Sequence, residues 1–136
     1  MAGICFFFEP SDVDVWSGKD LDAWNYAIKL AGDIDRMIVV NKTEQTIQSP
    51  DRALDFSVVD TLPELENACY LTPPWKESES MWDFDHNVDW YVFGPASGWA
   101  EAPGKMICIP QAGLGAPHSV HVATTVMFHR YHVRND

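Results

Sequence analysis

Short apolar blocks alternate with polar stretches along this 136-residue chain. Residues 4–8 (ICFFF) form a continuous apolar run, the pattern of a strand buried on both faces. Polar residues 9–18 contain Pro10 and Gly18 and predict a loop. Asp20 is then placed to cap a helix over 21–31, where Ala23, Trp24, Ala27, Ile28 and Ala31 recur at helical spacing and Gly32 supplies the stop. A second buried strand is predicted over 37–40, closed by Asn41, and a third strand over 56–59. The polar segment 41–54 predicts at most a helical turn after Ser49-Pro50, and 62–67 a second one entered through Thr61 and Pro63. Residues 69–71 form a brief strand, halted by Thr72-Pro73-Pro74.

Residues 76–87 (KESESMWDFDHN) are acidic and irregular and read as an exposed excursion. Two further buried strands follow over 88–93 and 106–109. Each runs into a Gly/Pro loop, GPASG and PQAGLGAP. Ser119 then caps a terminal helix through about Tyr131. Strands alternating with helices predict an α/β domain with a mostly parallel sheet covered on both faces. No repeat, linker or low-complexity tract interrupts residues 1–136, so one domain is expected.

Composition sharpens this picture further. Apolar residues make up 46% of the chain, with seven Phe and six Trp, which is ample core material and excludes disorder. No apolar run approaches the roughly 20 residues of a membrane span. The opening MAGICFFF lacks a basic flank and meets Glu9-Pro10 too soon for a signal peptide. Three cysteines, Cys5, Cys69 and Cys108, are far apart in apolar segments and read as buried reduced thiols, which predicts a cytoplasmic protein. Finally, twenty acidic against nine basic residues leave a net charge of −11. That charge opposes strong unaided nucleic-acid binding, unless Lys19, Lys29, Arg36, Lys42, Arg52, Lys76 and Lys105 gather into a local patch.

Ligands of open parallel sheets bind beyond the carboxyl ends of the strands. Three such ends carry Gly or Pro: Leu71-Thr72-Pro73, Phe93-Gly94-Pro95 and Ile109-Pro110-Gln111. Glycine admits close main-chain approach and proline holds the loop, so a cleft built this way reads a flat base and a ribose through main-chain groups. Plain turns explain the same spacing. Order adds information. Val92-Phe93-Gly94-Pro95, then Ile109-Pro110, then Ser119-Val120-His121-Val122-Ala123 opening a helix resembles the tandem motifs of the SPOUT, or α/β-knot, methyltransferase superfamily, most closely its tRNA ribose 2′-O-methyltransferase branch. The resemblance spans roughly residues 88–132, with a fainter match over 22–32.

The resemblance implies a C-terminal trefoil knot, a homodimer and S-adenosylmethionine as cofactor. It also implies an RNA substrate, methylated by default at the ribose 2′-hydroxyl. Carried over by position, the cofactor-binding groups are at Leu71, Thr72, Phe93, Gly94, Ile109, Leu114, Ser119 and Val120. The terminal helix lies at the dimer interface in such proteins. Its stripe of Val122, Ala123, Val126 and Met127 suits that role and a plain core face equally. Three polar positions depart from the family pattern. Tyr26 stands at the place of the helix Arg linked to hydroxyl activation, Ala96 replaces the Glu after Phe-Gly-Pro, and His121 replaces the Asn of the terminal motif.

A ribose hydroxyl benefits from a base, and His121, beginning a helix beside the expected cofactor, is the candidate. Tyr26 carries a phenol able to orient substrate. The bland alternatives are a packed helix histidine and a structural aromatic. His121, Thr125, His129 and His132 share one helix face without an acidic or thiol ligand at metal-binding spacing, so a surface or interface stripe outranks zinc. Asp83-Phe84-Asp85-His86 reads as exposed acidic loop rather than cation site. Two rivals to an RNA methyltransferase stand. One is a catalytically silent SPOUT-fold homodimer acting as a binding or regulatory module. The other is an enzyme using the cofactor on a protein or small acceptor. No appended RNA-binding domain is expected, so RNA docks on the dimer or arrives with an accessory protein.

Overall fold

The computed structural model describes residues 2–9, 18–72, 78–95, 99, 102–110 and 120–135. The described strands are β1 (Ala2–Phe8), β2 (Ile34–Asn41), β3 (Asp55–Val59), β4 (Ala68–Leu71), β5 (Glu79–Ser80), β6 (Trp90–Phe93) and β7 (Lys105–Cys108). The helices are α1 (Gly18–Ala31) and α2 (Val120–Asn135). All seven strands lie in one sheet of order β3-β2-β1-β6-β4-β7-β5, and every pair is parallel. The predicted mostly parallel α/β sheet is the one found.

Parallel strands are buried on both faces, which is why β1 reads as an unbroken apolar run. Alternate residues of β1 serve opposite faces. Ile4, Phe6 and Phe8 pack with Trp24, Ala27, Ile28 and Ala31 of α1 and with Val122, Ala123, Val126 and Met127 of α2. Cys5 and Phe7 join Val40, Tyr70, Trp90 and Val92 on the far face. Both described helices therefore share one face, where they pack side by side. The far face is covered by Leu62, Leu65 and Trp99. The α2 stripe is thus a core face within the chain. Trp24 anchors α1 against the rings of Phe6 and Phe93, at centroid separations of 4.7 and 6.2 Å.

Three local expectations are corrected. Helix α1 starts at Gly18, so Asp20 lies inside its first turn rather than at its cap. Its stop is as expected, with Gly32 at φ 81°. Residues 47–54 hold no helix. Ile47 is buried there, and Ser49 Oγ and Asp51 Oδ1 accept the amides of Asp51 and Ala53 in successive turns.

Residues 62–67 are irregular rather than helical, because of the distance they must cover. β3 and β4 stand four ladder spacings apart, roughly 19 Å, and the chain must also return to the amino end of a parallel sheet. The steps from Val59 to Ala68 would advance only about 14 Å as a helix, against about 30 Å when extended.

The described part of the acidic excursion, from residue 78, is no free loop. It adds β5 to the sheet edge and buries Met81, Phe84 and His86. His86 sits in a polar cluster that ties α2 to the sheet. Arg130 of α2, 1% exposed, meets Asp33 as a fork, with Nη2 donating to Oδ2 at 2.7 Å and Nε to Oδ1 at 3.2 Å. Its Nη1 donates to the His86 carbonyl at 2.6 Å and to the Tyr91 hydroxyl at 3.0 Å. Tyr91 Oη lies 2.8 Å from His86 Nδ1, and His86 Nε2 lies 3.3 Å from the Met81 carbonyl. One proton arrangement satisfies every member: Arg130 donates to Tyr91, Tyr91 to Nδ1, and neutral His86 to Met81 through Nε2.

Burial is the largest cause that depresses the His86 pKa to about 4, with His129 and Arg130 adding repulsion. The Asp33 carboxyl is also held low, chiefly by its hydrogen bond from Arg130. A histidine depressed on folding withdraws stability as pH falls from its unfolded value near 6.5 toward 4. Asp33 acts at lower pH, below its unfolded value of 3.8. Urea unfolding at pH 7, 5.5 and 4.5 is therefore expected to show a decline in stability that His86→Gln flattens. Arg130→Met removes the donor to Tyr91 and to the His86 carbonyl and leaves Asp33 only its longer contact with Arg134 at 3.9 Å. It is expected to lower unfolding free energy by about 2–4 kcal/mol by the same assay.

Candidate functional site at the carboxyl ends of three adjacent strands

Strand β4 lies between β6 and β7, in register through Tyr70 with Val92 and Leu71 with Ile107. The chain leaves all three strands at the same edge of the sheet, so the loops after Leu71, Phe93 and Cys108 emerge as neighbours. Residues more than 30 positions apart in sequence, Leu71 and Ile107, meet there by backbone pairing alone. Thr72 extends the ladder one residue further by donating its N–H to the Ile107 carbonyl at 2.9 Å.

Leu71, Thr72, Phe93 and Ile109 are all buried at this junction. Gly94 is buried as well, with φ of 89° and a cis peptide to Pro95. A φ in that range strains any residue with a Cβ, so glycine is required for the chain to turn there. Val120 opens α2 and is half-buried. Leu114, Ser119 and Ala96 lie outside the described residues.

The two proposed catalytic side chains stand on different helices. His121 is exposed in the first turn of α2, where its carbonyl accepts the Thr125 hydroxyl at 2.9 Å. Tyr26 projects from the middle of α1 and is 62% exposed. The histidine face of α2 divides. His121 and His132 are exposed, whereas the His129 ring is half-buried between Trp82 and His86, at centroid distances of 5.0 and 4.9 Å. Among the described residues no group of three or more His, Cys, Asp or Glu is placed to hold a metal ion.

Two surface hollows, of about 230 and 540 Å³, lie at the opposite end of the sheet. Asn67, Phe84 and Lys105 border the first, and Arg36, Leu65 and Trp90 the second. Their position at the amino ends of strands separates them from the glycine and proline loops. Lys76 lies outside the described residues, and four of the basic side chains named above are already engaged. Lys29 pairs with Asp51 at 3.4 Å, Lys105 with Glu79 at 3.0 Å, and Lys42 donates to the Asp60 carbonyl at 2.7 Å. Arg36 stacks on Trp90 at 4.4 Å. Sequence reasoning missed Arg130, whose burial and reach to Asp33 depend on contacts 97 positions apart. The thiols match expectation: all three cysteines are free and buried, and desolvation pushes Cys5 up to about 12.

Neither a family model nor a curated protein matches this sequence. Among solved structures, the chain is similar to the A. aeolicus TrmH/SpoU tRNA modifying enzyme, with a TM-score of 0.69 and 18% identity over 97% of this chain and 75% of that one. The fold is therefore the SPOUT-type α/β fold that the loop motifs implied.

Gly94→Ala is expected to lower unfolding free energy by about 1–2 kcal/mol, measured by urea denaturation, because no low-strain backbone remains at φ 89°.

Proposed function

We propose that the protein is a SPOUT-superfamily, S-adenosylmethionine-binding methyltransferase acting on RNA, with the ribose 2′-hydroxyl as acceptor. The observation that carries this reading is the adjacency of β6, β4 and β7. It gathers Leu71, Thr72, Phe93, Gly94 and Ile109 at one sheet edge, within a fold similar to that of a tRNA modifying enzyme. Leu114, Ser119 and Val120 complete the cofactor set in this reading. Buried main-chain groups at glycine-permitted bends suit an adenosyl ligand, since they approach it closely and cost no side-chain ordering.

When bound, the cofactor supplies an activated methyl group on a sulfonium. The chain's own task is then to align the acceptor and to take its proton. His121, exposed at the start of α2, is the proposed base, and Tyr26 the proposed orienting group. A C-terminal trefoil knot goes with this reading. So does a homodimer, supported by Tyr26 on α1 and Phe128, Tyr131 and Val133 on α2, all exposed although large and apolar. No helix among the described residues is long and apolar enough to cross a membrane, and the buried free thiols fit a reducing cytoplasm.

A second reading has its own observations. Tyr26 occupies the place of the family's helix Arg, and the net charge is −11 with Lys29 and Lys105 paired to carboxylates. Those features favour a catalytically silent homodimer serving as a binding or regulatory module, or an active one whose RNA is delivered by an accessory protein.

Isothermal titration with S-adenosylhomocysteine is expected to show saturable binding, and its absence removes the cofactor from both readings. Transfer of labelled methyl from S-adenosylmethionine to bulk tRNA is expected for the enzyme. Under that reading His121→Ala lowers transfer by about 100-fold or more while affinity for S-adenosylhomocysteine stays within about threefold. Binding without transfer to RNA, protein or metabolite fractions selects the silent module. Full activity in both His121→Ala and Tyr26→Phe removes both assigned roles.

A further inference from the structure

We propose that the hollow between Arg36, Trp90 and residues 63–66 is a binding site for a guanine base, at the end of the sheet opposite the glycine and proline loops. It is independent of the cofactor reading, because none of the residues bordering it belongs to that site.

The site is built over a glycine. Gly3 of β1 pairs with Arg36 of β2 on one side and with Trp90 of β6 on the other, so the three form one row across the sheet. A Cβ on Gly3 would lie 2.6 Å from the Trp90 ring and 2.7 Å from Arg36 Cγ. Only a bare backbone lets the two side chains close over it. There the guanidinium stacks on the indole, 4.4 Å from the ring centroid.

The stack engages the face of Arg36 and leaves its N–H groups unmet. Glu64, Glu66 and Asp89 border the same hollow, yet Arg36 makes no ion pair and no side-chain hydrogen bond among the described residues. Its Nε is buried without a partner. A guanidinium held beside three carboxylates but bonded to none of them is placed to meet another acceptor. Lys105, at the neighbouring hollow, is by contrast paired with Glu79 at 3.0 Å.

The walls select the ligand. It must accept from Arg36 and donate to the exposed carboxylates of the rim. A phosphate satisfies the first and is repelled by the second, and a simple cation does the reverse. Guanine is neutral and presents both sets of groups. Its O6 and N7 are the paired acceptors that a guanidinium fork reads, and its N1–H and exocyclic amino group are adjacent donors for a carboxylate. Adenine carries an amino group where O6 would lie, and cytosine offers the carboxylates a single donor group. A flat ring also extends the Trp90–Arg36 stack, with Pro63 and Leu65 as apolar walls. The volume of about 540 Å³ lies in the range of small-ligand sites.

The test is isothermal titration of the full chain with guanosine, adenosine and cytidine, with melting temperature as the control for folding. Guanosine is expected to bind saturably at about 1 mM or below and at least about tenfold more tightly than the other two. Arg36→Met keeps the apolar stem on Trp90 and is expected to weaken guanosine by about tenfold or more. Arg36→Lys keeps the charge without the fork and is expected to lose most of the same affinity. A single-stranded oligoribonucleotide containing guanine that binds more tightly than guanosine assigns the base to RNA, and the reverse order assigns it to a free nucleoside. No saturation by guanosine at about 5 mM overturns the inference. So does equal affinity for adenosine, or unchanged guanosine binding in an Arg36→Met protein that melts as wild type does.

Discussion

Backbone hydrogen bonding of β4 to both β6 and β7 is the arrangement on which the remainder of this molecule depends. A parallel strand directs its carboxyl end to the same edge as its neighbours, so inserting β4 between two strands that come later in the chain places three loops side by side. The ladder brings the starts of the loops together, and it also fixes how deeply each begins: Thr72 is bonded one residue beyond β4, and Gly94 turns immediately after β6. The site is a consequence of strand order, with side chains added to a geometry that the backbone has already set.

That order has to be held, and the two ends of α2 contribute differently. Along its middle, Val122, Ala123, Val126 and Met127 bury an apolar face against the sheet, a contact without directional preference. Toward its end, Arg130 supplies direction. Its fork to Asp33 at the entry of β2 and its bonds to Tyr91 and the His86 carbonyl tie the helix to the sheet through contacts with defined geometry. The first turn of α2, with Val120 and His121, is positioned by a clamp about three turns away. A buried ionic group is seldom a net source of stability.

The acidic surface bears on function through the same physics. Among the described residues, Lys29 and Lys105 are paired with carboxylates and the Arg36 guanidinium is stacked on Trp90, so these cations are already engaged before a phosphate backbone arrives. The RNA substrate proposed above would therefore call on shape, a second copy or a partner protein rather than on electrostatic capture alone. The exposed Tyr26, Phe128 and Tyr131 are the described groups suited to such contacts.

The chain's pattern by itself determined the elements and the loops that matter. Continuous apolar runs marked buried parallel strands, helical spacing marked α1 down to its stop at Gly32, and the order of Phe93-Gly94-Pro95, Ile109-Pro110 and the terminal helix pointed to the SPOUT-type fold. These are local signals, carried by residues a few positions apart. Tertiary structure alone decided what distant residues do to one another. Residues 62–67 gave up a helical turn because their ends are separated by four ladder spacings. The acidic segment folded inward because Met81, Phe84 and His86 found an edge and an arginine to cover them. Arg130 and Thr72 look ordinary in sequence, one a basic residue in a terminal helix and the other a polar residue before prolines. Their burial, and so their energetic importance, arises from elements that local spacing does not encode.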